Sequence, residues 1–147
     1  MLLLKVSKLL AFGKRIIKER RFMREIKFRL IKDNKIVGYE MWLDDRWVYA
    51  YPDENFNLGN EFIEHDVKNQ YTGLKDKNGI EIYEGDIVKE TNISDGEHIR
   101  SIVFEKGCFW TKGEKGGSQL FVPLKIEVIG NIYENKELLK KGGDKNE

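Results

Sequence analysis

His65, His98 and Cys108 are the side chains of this 147-residue sequence best suited to moving a proton or attacking a carbon. His65 stands beside Asp66, and an acid/base pair would need the two to converge. In an extended segment neighbouring residues point to opposite faces, so these two would diverge. His98 follows Glu97, but two histidines without cysteine partners make a poor transition-metal site. Cys108 precedes Phe109 and Trp110 and reads as a small core residue, with no basic group placed to lower its pKa. Gly113-Glu114-Lys115-Gly116-Gly117-Ser118 has the glycines of a phosphate cradle. It lacks the Gly-Lys-Ser/Thr ending and the following helix, so a flexible hairpin end is expected. Asp76, Asn78 and Glu81 hint at a calcium loop without its twelve-residue spacing or helical flanks. No catalytic set or metal site assembles. The chain is expected not to be an enzyme and to need no cofactor.

Chemistry of a different kind comes from the aromatics. Ile26, Phe28 and Leu30 alternate with Glu25, Lys27 and Arg29, the period of a half-buried strand. Lys32-Asp33-Asn34-Lys35 is a turn, Ile36 to Trp42 its returning partner, and Asp44-Asp45 a second break before Trp47-Val48-Tyr49-Ala50-Tyr51. Trp42, Trp47, Tyr49 and Tyr51 therefore sit on a β-meander. They could stack bases, yet such residues more often close a core or a subunit interface. With only Arg46 interleaved, core or interface is the expectation. Glu61 to Asn69 fits a short helix or an irregular strand equally well. Lys112 to Ser118 should be a mobile loop between later strands.

The stretch from Gln70 to Val88 organises the rest. Tyr71 is its aromatic anchor and Gly73 a point of backbone freedom. Asp76-Lys77-Asn78-Gly79 is a turn signal, and Glu84-Gly85-Asp86 redirects the chain into the β-branched pair Ile87-Val88. Asp86 is expected to bond nearby amides. A second informative stretch, Ile126 to Asn135, reads as a strand bent at Gly130, with Asn135 capping a terminal helix. These two stretches resemble the signature of the YopX family, small proteins carried by bacteriophages and prophages. The likeness runs from about Met23 to Leu139. Lys136 stands where the family usually has proline, which puts only the rigidity of that helix start in question. The family has no established molecular activity, so the resemblance transfers no catalytic residue.

Composition narrows what remains. Charged residues make up 35% and apolar ones 40%, which suits a globular chain rather than a disordered one. A single cysteine excludes an intramolecular disulfide and fits a reducing bacterial cytoplasm. The net charge of +1 hides an asymmetry. Residues 1–22 hold seven Lys and Arg, among them Lys14, Arg15, Lys18, Arg20 and Arg21, against Glu19 alone; the remainder is mildly acidic. Leu2, Val6, Leu9, Leu10, Ile16 and Ile17 lie near helical spacing in this segment, which is too short and too charged to span a membrane. Met23 is an alternative start.

The expected architecture is mainly β: a compact barrel-like or rolled antiparallel sheet, of the small SH3-like kind, over residues 23–141. An amino-terminal amphipathic helix precedes it, a short carboxy-terminal helix ends it, and residues 142–147 fray. The expected function is a non-catalytic module that binds a protein or assembles with itself through Trp42, Trp47, Tyr49, Tyr51 and Tyr71. Gly73, Asp76, Asn78, Gly79, Gly85, Asp86 and Gly130 are expected to serve the backbone. Nucleic-acid binding through the basic segment is one alternative, small-molecule or nucleotide binding another.

Overall fold

A computed structural model describes residues 24–52, 58–92, 96–114, 116–120 and 125–141; the basic amino-terminal segment, with its expected helix, lies outside them. Among the described residues eleven strands and one helix follow in order. The first six are β1 (Lys27–Lys32), β2 (Lys35–Leu43), β3 (Arg46–Ala50), β4 (Leu58–Gly59), β5 (Val67–Lys75) and β6 (Glu81–Tyr83). They form one sheet in the order β4-β3-β2-β1-β5-β6. The next five are β7 (Asp86–Asn92), β8 (Gly96–Glu105), β9 (Cys108–Gly113), β10 (Gly116–Gln119) and β11 (Ile126–Asn131). They form a second sheet in the order β10-β9-β8-β7-β11. Helix α1 (Glu137–Lys141) follows.

Every pairing is antiparallel. The expected mainly-β chain is thus present, but as two open sheets rather than a closed or SH3-like barrel. The two-residue step Glu84-Gly85 carries the chain from β6 to β7 and ends the first sheet before closure. Among the described residues no helix is long and apolar enough to cross a membrane.

Local chemistry explains the meander. Asp33-Asn34, Asp44-Asp45 and Lys106-Gly107 have both central residues at positive φ, the turn geometry that matches the twist of a tight hairpin. Asp and Asn tolerate it through their short polar side chains. A register shift between Leu30 and Ile31 marks a bulge in β1, and both residues are buried. Gly38, opposite Leu30, lies under the 60–66 loop. A Cβ there would stand 2.5 Å from Ile63 Cδ1 and 2.8 Å from the Ala50 carbonyl oxygen. Gly38→Ala is therefore expected to cost about 2 kcal/mol by overpacking, read as a lowered denaturant midpoint.

The 61–69 segment, open between helix and strand in the sequence, is irregular to Asp66 and then enters β5. Gly113–Ser118, expected as a hairpin end, lies in the β9–β10 hairpin, and strand pairing takes up much of the loop expected over Lys112–Ser118. Val88, Ile102, Phe109 and Ile126 of the second sheet share one buried core with Ile82 of β6 in the first.

Candidate interaction face and the ionic seam beneath it

The seam explains why the meander stays fixed. Lys27 and Arg29 alternate with Phe28, so the sequence pattern sends them to solvent. The structure buries both, because that face of β1 looks toward Tyr83 and Asp86. Arg29 Nη1 donates to Asp86 Oδ1 at 2.6 Å and Nη2 to the Glu84 carbonyl at 3.3 Å. Asp86 Oδ2 accepts the Tyr83 amide at 2.7 Å, the local bond its position implied. Lys27 Nζ donates to Glu81 Oε2 at 2.7 Å, and the Tyr83 hydroxyl donates to the same oxygen at 2.8 Å. The Arg29 guanidinium stands 5.0 Å from the centre of the Tyr83 ring.

These contacts set the titration of the seam. Burial raises the Asp86 carboxyl, with Arg29 and the Tyr83 amide pulling against the rise. Burial also pushes Glu81 up, but Lys27 outweighs it and the group ends below its ordinary value. The Tyr83 hydroxyl is raised by burial and by Glu81. The Tyr71 hydroxyl is pushed up to about 12, first by burial and then by Glu81. Arg29 Nε and Asn69 Oδ1 are buried without a hydrogen-bond partner among the described residues, so the seam is not fully satisfied.

Two further clasps join the sheets. Asp76 Oδ1 accepts the amides of Asn78 (2.8 Å) and Ile80 (2.9 Å), and its Oδ2 accepts that of Val128 in β11 (2.9 Å). Gly85, at φ 77°, donates its amide to Ile102 and accepts that of Ile132 on its carbonyl. A Cβ there would crowd Tyr133 and Asn69. Gly73 and Gly79 also hold positive φ, in open surroundings. The strand register shifts between Val128 and Gly130, the expected bend. The space beside Gly130 is filled by the Asn135 side chain, 2.6 Å from where a Cβ would lie. Asn135 Oδ1 accepts the Asn131 amide, whereas its backbone carbonyl accepts the Leu138 amide of α1.

The opposite face of the first sheet carries the aromatics. Trp42 and Trp47 are cross-strand partners, their rings edge-on at 5.1 Å; Phe28 adds to Trp47 at 6.1 Å. Tyr49 packs edge-on against Phe62 at 5.9 Å, and Phe62 against His65 at 5.3 Å. Between the two groups, Glu40 is 4% exposed. Its carboxylate accepts the Tyr49 hydroxyl at 2.8 Å and Lys68 Nζ at 2.5 Å. Burial, then Glu40, raises the Tyr49 hydroxyl. Phe62 is 65% exposed and Trp47 39%. Large rings held in edge-on ring contacts and left in water suit contact with another surface.

The structure thus gathers Trp42, Trp47 and Tyr49 on one face, with Tyr51 exposed beyond the end of β3. Tyr71 separates from them: it lies on the other face, 4% exposed, against Tyr83, so it cannot present a surface. Phe62 and Glu40 escaped the sequence reading. A carboxylate inside the apolar run Ile36–Trp42 was the one available signal for Glu40.

Elsewhere, His65 Nδ1 lies 2.7 Å from the Ile63 carbonyl, while Asp66 accepts the Asp33 amide. They form no acid/base pair, and His98 belongs to the other sheet. Among the described residues no group of three or more His, Cys, Asp and Glu is placed to hold a metal. A half-open groove of about 300 Å³ runs between β8, β9 and α1, lined by His98, Arg100, Ser101, Lys112 and Leu139 among others. Two of its cations are engaged, Arg100 by Glu90 at 3.1 Å and Lys112 by Glu105.

Taken together, the fold and the site define a two-sheet antiparallel β protein with an ionic seam inside and an aromatic face outside. The family model described as "YopX protein" matches residues 27–140. The chain belongs to the YopX family. Among solved structures it is similar to protein EF1440 from Enterococcus faecalis, at 30% identity over 82% of this chain and 92% of that one, with a TM-score of 0.42. It is also similar to protein yopX from Bacillus subtilis, at 19% identity over 80% of this chain and 99% of that one, with a TM-score of 0.49. No curated protein matches the chain.

Proposed function

We propose that this YopX-family protein is a non-catalytic module that binds a protein, either a partner or a second copy of itself, through the aromatic face of its first sheet. One observation carries the reading: Trp47 and Phe62 are exposed although both belong to ordered ring contacts. Aromatic anchors of this kind concentrate binding energy at protein interfaces. Nucleic acid fits the face less well, since base stacking is normally joined to a basic groove and carboxylates surround these rings. In a phage setting, as the resemblance implies, the partner would be a host protein met in the cytoplasm.

The test compares the full chain with its Trp47→Ser/Phe62→Ser form, each immobilised and exposed to bacterial lysate. The parent is expected to retain a protein at stoichiometric level that the double variant loses by tenfold or more, about 1.4 kcal/mol or greater. An unchanged melting curve shows that the variant is folded. Equal retention by both forms would remove the face from the function.

A further inference from the structure

The loop over residues 60–66, which carries Phe62 from β4 to β5, has one buried residue. Phe62 and Glu64 are exposed, whereas Ile63 between them is 6% exposed. Its seat is Gly38. Gly38 alternates with Glu40 and Trp42 along β2 and so belongs to the aromatic face. A Cβ at Gly38 would stand 2.5 Å from Ile63 Cδ1 and 3.7 Å from Ile63 Cγ2. The Ile63 side chain thus fills the place that a side chain of β2 would otherwise occupy. Any larger residue at position 38 would close that hollow.

Seating Ile63 decides where its neighbour goes. The backbone that drives Ile63 into the sheet turns Phe62 the other way. The Phe62 ring then rests edge-on against Tyr49 at 5.9 Å, with His65 at 5.3 Å. His65 Nδ1 meets the Ile63 carbonyl at 2.7 Å, and the Asp66 amide donates to the Ile31 carbonyl at 2.8 Å. Both ties lie at or after Ile63 in the chain, so Phe62 depends on the seat for its place. An aromatic anchor fixed before contact spares the ordering cost of binding. We propose that Ile63 is a positioning residue: seated at Gly38, it holds Phe62 over Tyr49 in advance of binding, and the loop acts as a strap whose seating sets the affinity of the face. The inference rests on the binding role proposed for that face and adds the residue that preorganises it.

The test compares the full chain with Ile63→Val and Ile63→Ala, neither of which alters a ring of the face. Two quantities are read in each: the nuclear Overhauser contacts between the Phe62 and Tyr49 rings, and retention of the protein that the parent holds from bacterial lysate. Ile63→Val removes the Cδ1 that reaches the Gly38 hollow and is expected to lower both about twofold. Ile63→Ala is expected to lower both several-fold, while the Trp42–Trp47 ring contact persists and reports a folded sheet. Should Ile63→Ala fail to fold, the milder Ile63→Val carries the comparison. Phe62–Tyr49 contacts undiminished in the variants would overturn the inference. So would retention that stays at the parent level once those contacts are lost. In either case, loss of retention in Trp47→Ser leaves the face its binding role and removes only the strap. Full retention by Trp47→Ser/Phe62→Ser removes the binding role and the inference with it.

Discussion

Asp86→Ala is expected to destabilise the fold by about 4 kcal/mol, because it leaves the Arg29 charge buried without its partner. Arg29 has almost no alternative: its side chain is 7% exposed and its remaining bond is to the Glu84 carbonyl. The loss is a large share of the 5–15 kcal/mol that typically holds a domain together. With a urea slope of about 2 kcal/mol/M, the denaturation midpoint should fall by about 2 M. The double change Arg29→Met/Asp86→Leu should recover most of that loss, since neither charge is then stranded. A double variant as unstable as Asp86→Ala would show that the seam acts through shape rather than charge.

The second large effect falls on Asp76. Its carboxylate takes three backbone amides from two parts of the chain, so Asp76→Ala should cost about 3–5 kcal/mol. It should also alter the acid limb of the stability curve. Burial pushes the Asp76 carboxyl up, but the three amides and Lys77 outweigh it, and the group ends below its ordinary 3.8. A depressed carboxylate contributes stability that is present above the unfolded value and lost as pH falls through the folded one. Stability of the parent should therefore decline below about pH 4, and the Asp76→Ala chain should decline less steeply there. Urea midpoints collected from pH 7 to pH 2.5 give both slopes; equal slopes would mean that Asp76 titrates alike in the folded and unfolded chain.

Much of the fold was legible because short-range chemistry determines it. Asp33-Asn34 and Asp44-Asp45 announce hairpins through the backbone angles their side chains tolerate. Ile87-Val88 announces a buried strand, and both residues are fully buried. Asp86 bonds a nearby amide, as its place after Gly85 suggested. What failed was the inference from alternation to solvent at Lys27 and Arg29. A period of two shows that residues lie on opposite faces, not which faces are covered. Their partners, Glu81 and Asp86, stand 54 and 57 positions away, beyond any local signal. The barrel expectation failed similarly, since sheet closure depends on how a turn such as Glu84-Gly85 is docked. The interaction face was half legible: aromatic density pointed to Trp42, Trp47 and Tyr49, but composition could not separate Tyr71, which shares their residue type and lies on the other face.

The binding role of the aromatic face is tested most directly by the three tryptophan indole signals in a nitrogen-15 spectrum of the full chain. Trp42 and Trp47 lie on the face, while Trp110 Nε1 donates to the Glu105 carbonyl at 3.0 Å on the second sheet and serves as an internal reference. The chain is titrated with the protein it retains from lysate, or with its own unlabelled copies. The account predicts that the Trp42 and Trp47 signals shift or broaden while Trp110 stays in place. Perturbation of Trp110 alone, or of none of the three under conditions where a complex forms, would contradict it.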